Sequence, residues 1–377
     1  VVQRPYKAQI LNRVRRVVVK VGSSTLSGSS GIKSESIATI AQQLSTLHTT
    51  GKEVVLVTSG AVSAGMSRLG LQGRPKTIPA KQAAAAVGQI ALMALYEEYF
   101  SAHGLHVAQI LLTHDDLGNR KRYLNAKHTM RTLLEAKMIP IVNENDTVAV
   151  EEIQLGDNDN LSAQVAVLIE ADLLVILSDV AGLYDRDPRV HQDATLLSLV
   201  HRFDNALLAS GGGAGPLGRG GMASKLQAAH KAALSGIPTI IADGRNENIL
   251  MQVFDANIET GTLFLPVADR LASRKHWIAY TLKPAGALVV DAGARTAILE
   301  QGRSLLPPGV RAVRGVFEEG ECVACLDDAG REFARGLVNY SSEAIEHIKG
   351  ARTSQIEQIL GYKVSDEVIH RDDLALL

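Results

Sequence analysis

Charge of one sign is the first thing this 377-residue chain lacks: 39 Lys and Arg face 40 Asp and Glu, a formal net charge of −1. That balance sets up no global field toward nucleic acid or a membrane surface. Cysteine is nearly absent, with only Cys322 and Cys325. They stand in Glu321-Cys322-Val323-Ala324-Cys325-Leu326, which reads as a strand. Residues three apart in a strand point to opposite faces and lie about 10 Å apart. A disulfide needs Cα atoms within about 7 Å, and a zinc site needs further ligands nearby. Both therefore read as packing thiols in a reducing compartment. Aromatic residues make up 4% of the chain against 46% hydrophobic residues. That favours a core of Val, Ile, Leu and Ala, as in parallel sheets covered by helices. No apolar stretch approaches the ~20 residues that span a bilayer, so the expectation is a cytoplasmic protein with no membrane partner. Residues 1–16 are basic and carry no apolar core of a secretory signal; they read as a lead into a first strand.

What is present alternates. Apolar, β-rich runs stand at 17–21, 54–58, 107–112, 139–142, 173–177 and 238–242. Helical patterns fall between or after them, at 36–47, 81–100, 123–136, 161–169 and 224–234. This order predicts an α/β fold, a three-layer αβα sandwich around a mostly parallel sheet. Right-handed crossovers put every strand-to-helix loop on one edge, where ligands of such sheets bind. Polar clusters follow the apolar runs directly: Gly22-Ser23-Ser24, Ser59-Gly60-Ala61, Asn143-Glu144-Asn145-Asp146 and Ser178-Asp179. The texture changes after Gly261–Pro266. Short β-like pieces follow at 287–290, 310–314, 322–326 and 335–338, with helices near 341–349 and 354–360. The expected organisation is a first domain over 1–266, a linker over 267–275 and a small β-rich domain over 276–377.

Two lysines carry the chemistry. Lys20 ends an apolar strand, where a charge costs energy unless it faces a cleft or a partner, although a snorkelling lysine is the plainer alternative. Lys225 ends Gly218-Arg219-Gly220-Gly221-Met222-Ala223-Ser224-Lys225, a glycine-rich turn into a helix. Glycines there let backbone N–H groups approach phosphates, and a helix N-terminus favours anions. The turn is no P-loop, because no Gly precedes the Lys, and Gly213–Gly218 matches Gly-x-Gly-x-x-Gly only in letter. Asp157-Asn158-Asp159-Asn160 reads either as part of a site or as turn and N-cap residues for a helix from Leu161. Paired cations, flexible glycines and carboxamides suit phosphoryl transfer, whose transition state spreads negative charge over oxygens.

In order along the chain, Val19-Lys20-Val21-Gly22-Ser23-Ser24, Val57-Thr58-Ser59-Gly60-Ala61, Asn143–Asp146, Gly156–Ser162 and Gly220–Lys225 resemble the glutamate 5-kinase family of the amino acid kinase superfamily. The tail from about His276 resembles a PUA domain. The chain departs from the family pattern at Arg219, Ser224 and Ser178, where Thr is usual or frequent; all three lie on the nucleotide side. The resemblance implies ATP-dependent phosphorylation of the γ-carboxylate of L-glutamate to L-glutamyl 5-phosphate, the first step of proline biosynthesis. It implies Lys20, Lys225 and Asp159 as catalytic residues, with Asp159 holding the lysines. Ser59, Gly60, Asp146 and Asn158 match glutamate-binding positions. Lys20, Ser178, Asp179, Arg219, Gly220, Gly221, Met222, Ala223, Ser224 and Lys225 match nucleotide-binding positions. ATP and Mg2+ are the implied cofactors, with no protein ligand for the metal assigned. A homo-oligomer and inhibition by proline are implied too, the latter tuned by a mobile loop over about 60–80. Two rivals stand beside this reading. One is RNA binding through the PUA-like tail, which the mixed charge there disfavours. The other keeps the fold and changes the substrate to N-acetylglutamate, carbamate, aspartate or a nucleoside monophosphate.

Overall fold

A computed structural model of the chain describes residues 2–28, 31–71, 73, 75–149, 157–188, 190–203, 207, 221–267, 275, 278–279 and 282–377. The Gly213–Gly218 run, Gly156, Arg219, Gly220 and most of the expected linker lie outside the described residues, as does the side chain of Asp157. Internal contacts divide the chain into two compact units, Val1–Gly118 with Asn125–Val267, and Asn119–Leu124 with Ala268–Leu377.

In the first unit the apolar runs become β1 (Arg16–Val21), β2 (Glu53–Val57), β3 (Val107–Leu112), β4 (Ile139–Glu144), β5 (Leu173–Ser178) and β7 (Thr239–Asp243). Two short strands that the sequence pattern does not announce, β6 (Leu199–Val200) and β8 (Thr262–Phe264), complete the sheet. The order is β3-β4-β2-β1-β5-β7-β8-β6. β1 runs parallel to β2 and β5, β4 parallel to β2 and β3, and β7 parallel to β5. β8 turns back against β7, and β6 runs parallel to β8, so these two edge strands oppose the rest. Every residue of β4 and β5 is buried, as strands covered on both faces require. Period-two alternation gives β1 two different faces. Val17, Val19 and Val21 join the large core with Ile37, Leu44, Leu92 and Tyr96, while Val18 and Lys20 take the other face.

The helices include α1 (Arg4–Leu11), α2 (Ser34–Thr49), α3 (Ala61–Arg68), α4 (Ile78–Ser101), α5 (Arg120–Glu135), α6 (Asp157–Leu168), α7 (Met222–Leu234) and α8 (Ile249–Val253), besides short helical turns at Ser23–Leu26 and His114–Gly118. Four of them correct the sequence reading. The N-terminal lead is helical, with Pro5 in its first turn, where proline's fixed φ suits a helix start. Its Lys7 is fully buried and donates to the carbonyls of Gln252 at 2.8 Å and Ile258 at 2.6 Å. Burial lowers that ammonium to a pKa of about 8.

The second correction concerns the segment 60–80, expected as a mobile loop. It contains α3, and Thr77 caps the start of α4. Small residues explain it, because α3 and α4 touch backbone to backbone. A Cβ on Gly65 would lie 1.7 Å from the Ala84 carbonyl oxygen, and one on Gly88 would lie 1.8 Å from that of Ala61. The same helix corrects the claim about long apolar stretches, since α4 is long and apolar enough to cross a bilayer by length and composition. Here it packs on α2, α3 and β3. Fourth, α6 starts at Asp157 rather than Leu161, so Asn158 and Asp159 lie in its first turn.

The second unit is built on a five-stranded sheet. Its strands are β9 (Gly286–Val290), β10 (Val310–Arg314), β11 (Cys322–Leu326), β12 (Glu332–Leu337) and β13 (Leu374–Leu376), in the order β10-β9-β11-β12-β13. α9 (Ala292–Gln301), α10 (Ser342–Ile348) and α11 (Ile356–Leu360) accompany it. Cys322 and Cys325 are buried, unpaired thiols on β11. They pack in different clusters, Cys325 with Leu288 and Ile345, Cys322 with Ile278 and Leu337. Burial raises the two thiols to about 11 and about 12, out of reach of thiolate chemistry near neutral pH.

Candidate active site

Parallel pairing brings the C-terminal ends of β1, β2, β4 and β5 to one edge. Lys20 is the last-but-one residue of β1, in register with Val57 and Ile176. Successive side chains on a helix diverge by about 100°. The first turn of α6 therefore sends Asp159 toward Lys20 and Asn158 toward β2 and β4.

Asp159 is 1% exposed, Lys20 5% and Lys225 8%. Lys20 Nζ lies 2.6 Å from Asp159 Oδ1, and Lys225 Nζ lies 3.2 Å from Oδ2. Ser224 Oγ donates to Oδ2 at 2.7 Å, and Lys225 Nζ also donates to the Gly221 carbonyl at 2.9 Å. Burial alone would raise the Asp159 carboxyl. The two ammonium groups and the hydrogen bonds from Lys20 and Ser224 overcome it and hold the carboxyl below its ordinary range. Burial lowers the Lys20 ammonium, Asp159 opposes that, and Lys225 adds to it by repulsion. Two buried cations thus share one carboxylate at contact distance. Such a cluster is completed by an incoming anion, and a buried unpaired charge is otherwise costly.

A second cluster begins at the preceding residue. Asn158 Nδ2 donates to Ser59 Oγ at 2.9 Å and to Asn143 Oδ1 at 3.1 Å. Asn143 Nδ2 donates to Gln89 Oε1 on α4 at 2.8 Å. Tyr96, two turns beyond Gln89 on the same helix, shares a 2.8 Å hydrogen bond with Thr58, the residue before Ser59. Gly60 caps α3 with a φ of +107°, a left-handed conformation that glycine adopts freely. Beside this chain lies a cavity of about 220 Å³ lined by Gln89, Gln109, Leu111, Glu144, Asn145 and Asp146, among others. Burial raises Asp146 to about 6.

Of the residues expected at the nucleotide, Gly221 caps α7, and Met222 and Ala223 form its first turn. Ser178 donates to Asp179 at 3.1 Å. Among the described residues neither hydrogen-bonds the lysine cluster, though the Asp179 carboxylate acts on Lys20 through its charge. Arg219 and Gly220 lie outside the described residues. Ser224, expected beside the nucleotide, hydrogen-bonds Asp159 within the lysine cluster. Three groups escape the sequence reading: Asn143 as the hub of the amide chain, and Gln89 and Tyr96 on α4. A lone glutamine inside the apolar run 83–96 is the one sequence signal that could have found Gln89.

Comparison with known proteins bears on this geometry. Residues 15–243 match the family model for the amino acid kinase family, and residues 286–360 match that for the PUA domain. A glutamate 5-kinase from Geobacter sp. (strain M21) is 52% identical over 373 residues, 98% of this chain and 100% of the relative. One from Geobacter sulfurreducens is 51% identical over the same shares. One from Caldanaerobacter subterraneus subsp. tengcongensis is 50% identical over 96% of this chain and 98% of the relative. Among solved structures, a UMP kinase from Bacillus anthracis covers 68% of this chain and 97% of its own, with a TM-score of 0.45 and 16% identity. The family assignment rests on the sequence relatives and the family models.

Proposed function

The chain belongs to the glutamate 5-kinase family of the amino acid kinases, and from that premise we propose that it moves the γ-phosphoryl group of ATP to the γ-carboxylate of L-glutamate. The product is L-glutamyl 5-phosphate, and the reaction opens proline biosynthesis. One observation carries the reading: consecutive residues of one helical turn serve both halves of the site. Asp159 holds Lys20 and Lys225, and Asn158 joins Ser59 and Asn143.

In the reaction a carboxylate oxygen forms a bond to the γ-phosphorus as the bond to the bridging oxygen breaks, and ADP leaves. Two anions must approach, so cations have to offset their repulsion. Lys20 and Lys225 supply them, and Asp159 aims both. A carboxylate is nucleophilic at neutral pH, so no general base is needed. The glutamate ammonium suits Asp146 and Asn158, with Ser59 hydrogen-bonded to Asn158 and Gly60 next to it. The first turn of α7, from Gly221 to Lys225, offers a helix N-terminus to ATP phosphates, with Arg219, Gly220, Ser178 and Asp179 on the nucleotide side. Mg2+ would come bound to ATP and would neutralise part of its charge. Among the described residues no group of three or more His, Cys, Asp or Glu is placed to hold a metal by itself.

The same reading extends to a cytoplasmic homo-oligomer inhibited by proline, with a kinase domain over 1–266, a linker over 267–275 and a PUA-like domain over 276–377. The direct test is ATP-dependent ADP release across glutamate, N-acetylglutamate, aspartate, carbamate and UMP. Turnover restricted to glutamate is expected. A preference for any of the others would reassign the substrate.

A further inference from the structure

The amide chain behind the pocket has a fixed direction. The backbone N–H of Glu144 can only donate, and it donates to Asn143 Oδ1 at 2.9 Å. That contact fixes the Asn143 carboxamide, so its Nδ2 faces Gln89. A donor facing Gln89 requires the glutamine's oxygen, and the Gln89 Nε2 is left over. This nitrogen is buried and, among the described residues, has no hydrogen-bond partner. Gln89 is 9% exposed and lines the cavity shared with Asp146. Turning the carboxamide over would set Nε2 against Asn143 Nδ2, donor against donor. The same logic leaves Asn158 Oδ1 as a buried acceptor with no partner among the described residues. Orphaned buried groups are rare because each costs stability until something pairs with it.

The leftover groups describe a ligand. Asp146 and Asn158 Oδ1 want a cationic N–H group; Gln89 Nε2 wants an acceptor close to that cation. An α-amino acid carries both on one carbon. We propose that Gln89 is a specificity-determining residue whose Nε2 donates to the α-carboxylate of the substrate, beside the ammonium held by Asp146. The inference rests on the glutamate-kinase reading, which sends the other carboxylate to Lys20 and Lys225.

Two variants separate this role from support of Asn143. Gln89→Glu keeps an oxygen for Asn143 and loses the donor; Gln89→Met keeps the length and loses both. The full chain and both variants are compared in ADP release with glutamate. Competition by glutarate, which lacks the amine, and by 4-aminobutyrate, which lacks the α-carboxylate, is then measured. A lost hydrogen bond to a charged group should weaken glutamate and glutarate about 10- to 100-fold in both variants. The KM for ATP and the inhibition by 4-aminobutyrate should stay within about 3-fold, since neither ligand uses the donor. The proposal is overturned if Gln89→Glu handles glutamate as the native protein does while Gln89→Met does not. It is equally overturned if 4-aminobutyrate weakens in parallel with glutamate. No glutamate-dependent ADP release from the native protein would instead defeat the kinase reading before the variants are compared.

Discussion

Asp159→Asn removes one charge from a cluster that contains two cations. In the native protein the carboxylate meets Lys20 at 2.6 Å and Lys225 at 3.2 Å, with 1% of the residue exposed. Asparagine has the same size but one acceptor oxygen, and its NH2 group faces the second lysine. Removing one partner of a buried ion pair costs about 3–5 kcal/mol. Here that is an upper bound, because burial already lowers the Lys20 ammonium, so loss of its proton relieves part of the cost. The lysines lose their aim, so kcat should fall about 10²–10³-fold. The KM for glutamate should change far less, because Asp159 does not line the amino-acid pocket. ATP should stabilise the variant more than the native protein, since its phosphates replace the missing anion. The pH dependence follows from the depressed carboxyl. The stability Asp159 contributes is complete above the ordinary carboxylate range of about 4 and is lost as pH falls through the lower folded value. The gap between native and variant should therefore close in acid. Steady-state kinetics and thermal melts with and without ATP, from pH 3 to 8, read all four quantities. Unchanged kcat, or an effect confined to KM, would refute the positioning role.

Lys20→Ala and Lys225→Ala should each lower kcat by about 10²–10³-fold in folded protein, and near-native turnover in either would remove that lysine from the mechanism. With Asp146 raised to about 6, kcat/KM for glutamate should decline as pH falls through that value, because the protonated carboxyl no longer attracts the ammonium. Asp146→Asn should abolish this acid limb; a limb that persists would assign it to another group. L-Proline, which shares the α-carboxylate and cationic amine of glutamate, should raise the apparent KM for glutamate. Initial rates at several glutamate concentrations, unchanged by millimolar proline, would exclude a shared pocket.

The central sheet was legible because its strands are long apolar runs with polar clusters at their ends, and Lys20 stood out as a charge closing such a run. Less legible was whatever depends on contacts distant in sequence. β6 and β8 have two and three residues, too few for a period, and form only by pairing with neighbours already in place. α1 carries a buried lysine that makes sense only once the carbonyls of Gln252 and Ile258 are near it. Gly65 suggested a loop locally, yet together with Gly88 it is what lets two helices touch. At the site, Asp157–Asn160 was open between a turn and a functional cluster. The helix start at Asp157 makes it the first turn of α6, where adjacent residues face different pockets. Gln89 was hidden because its role is set by the direction of an amide chain drawn from α4, β4 and α6.

The most direct test of phosphoryl transfer to a carboxylate is to trap the product. An acyl phosphate reacts with hydroxylamine, whereas a phosphate ester or amide does not under the same mild conditions. Protein, ATP, Mg2+, L-glutamate and hydroxylamine should yield γ-glutamyl hydroxamate by mass spectrometry, in step with ADP and dependent on both substrates. ADP release without hydroxamate, or hydroxamate formed equally in the Lys225→Ala variant, would contradict the account.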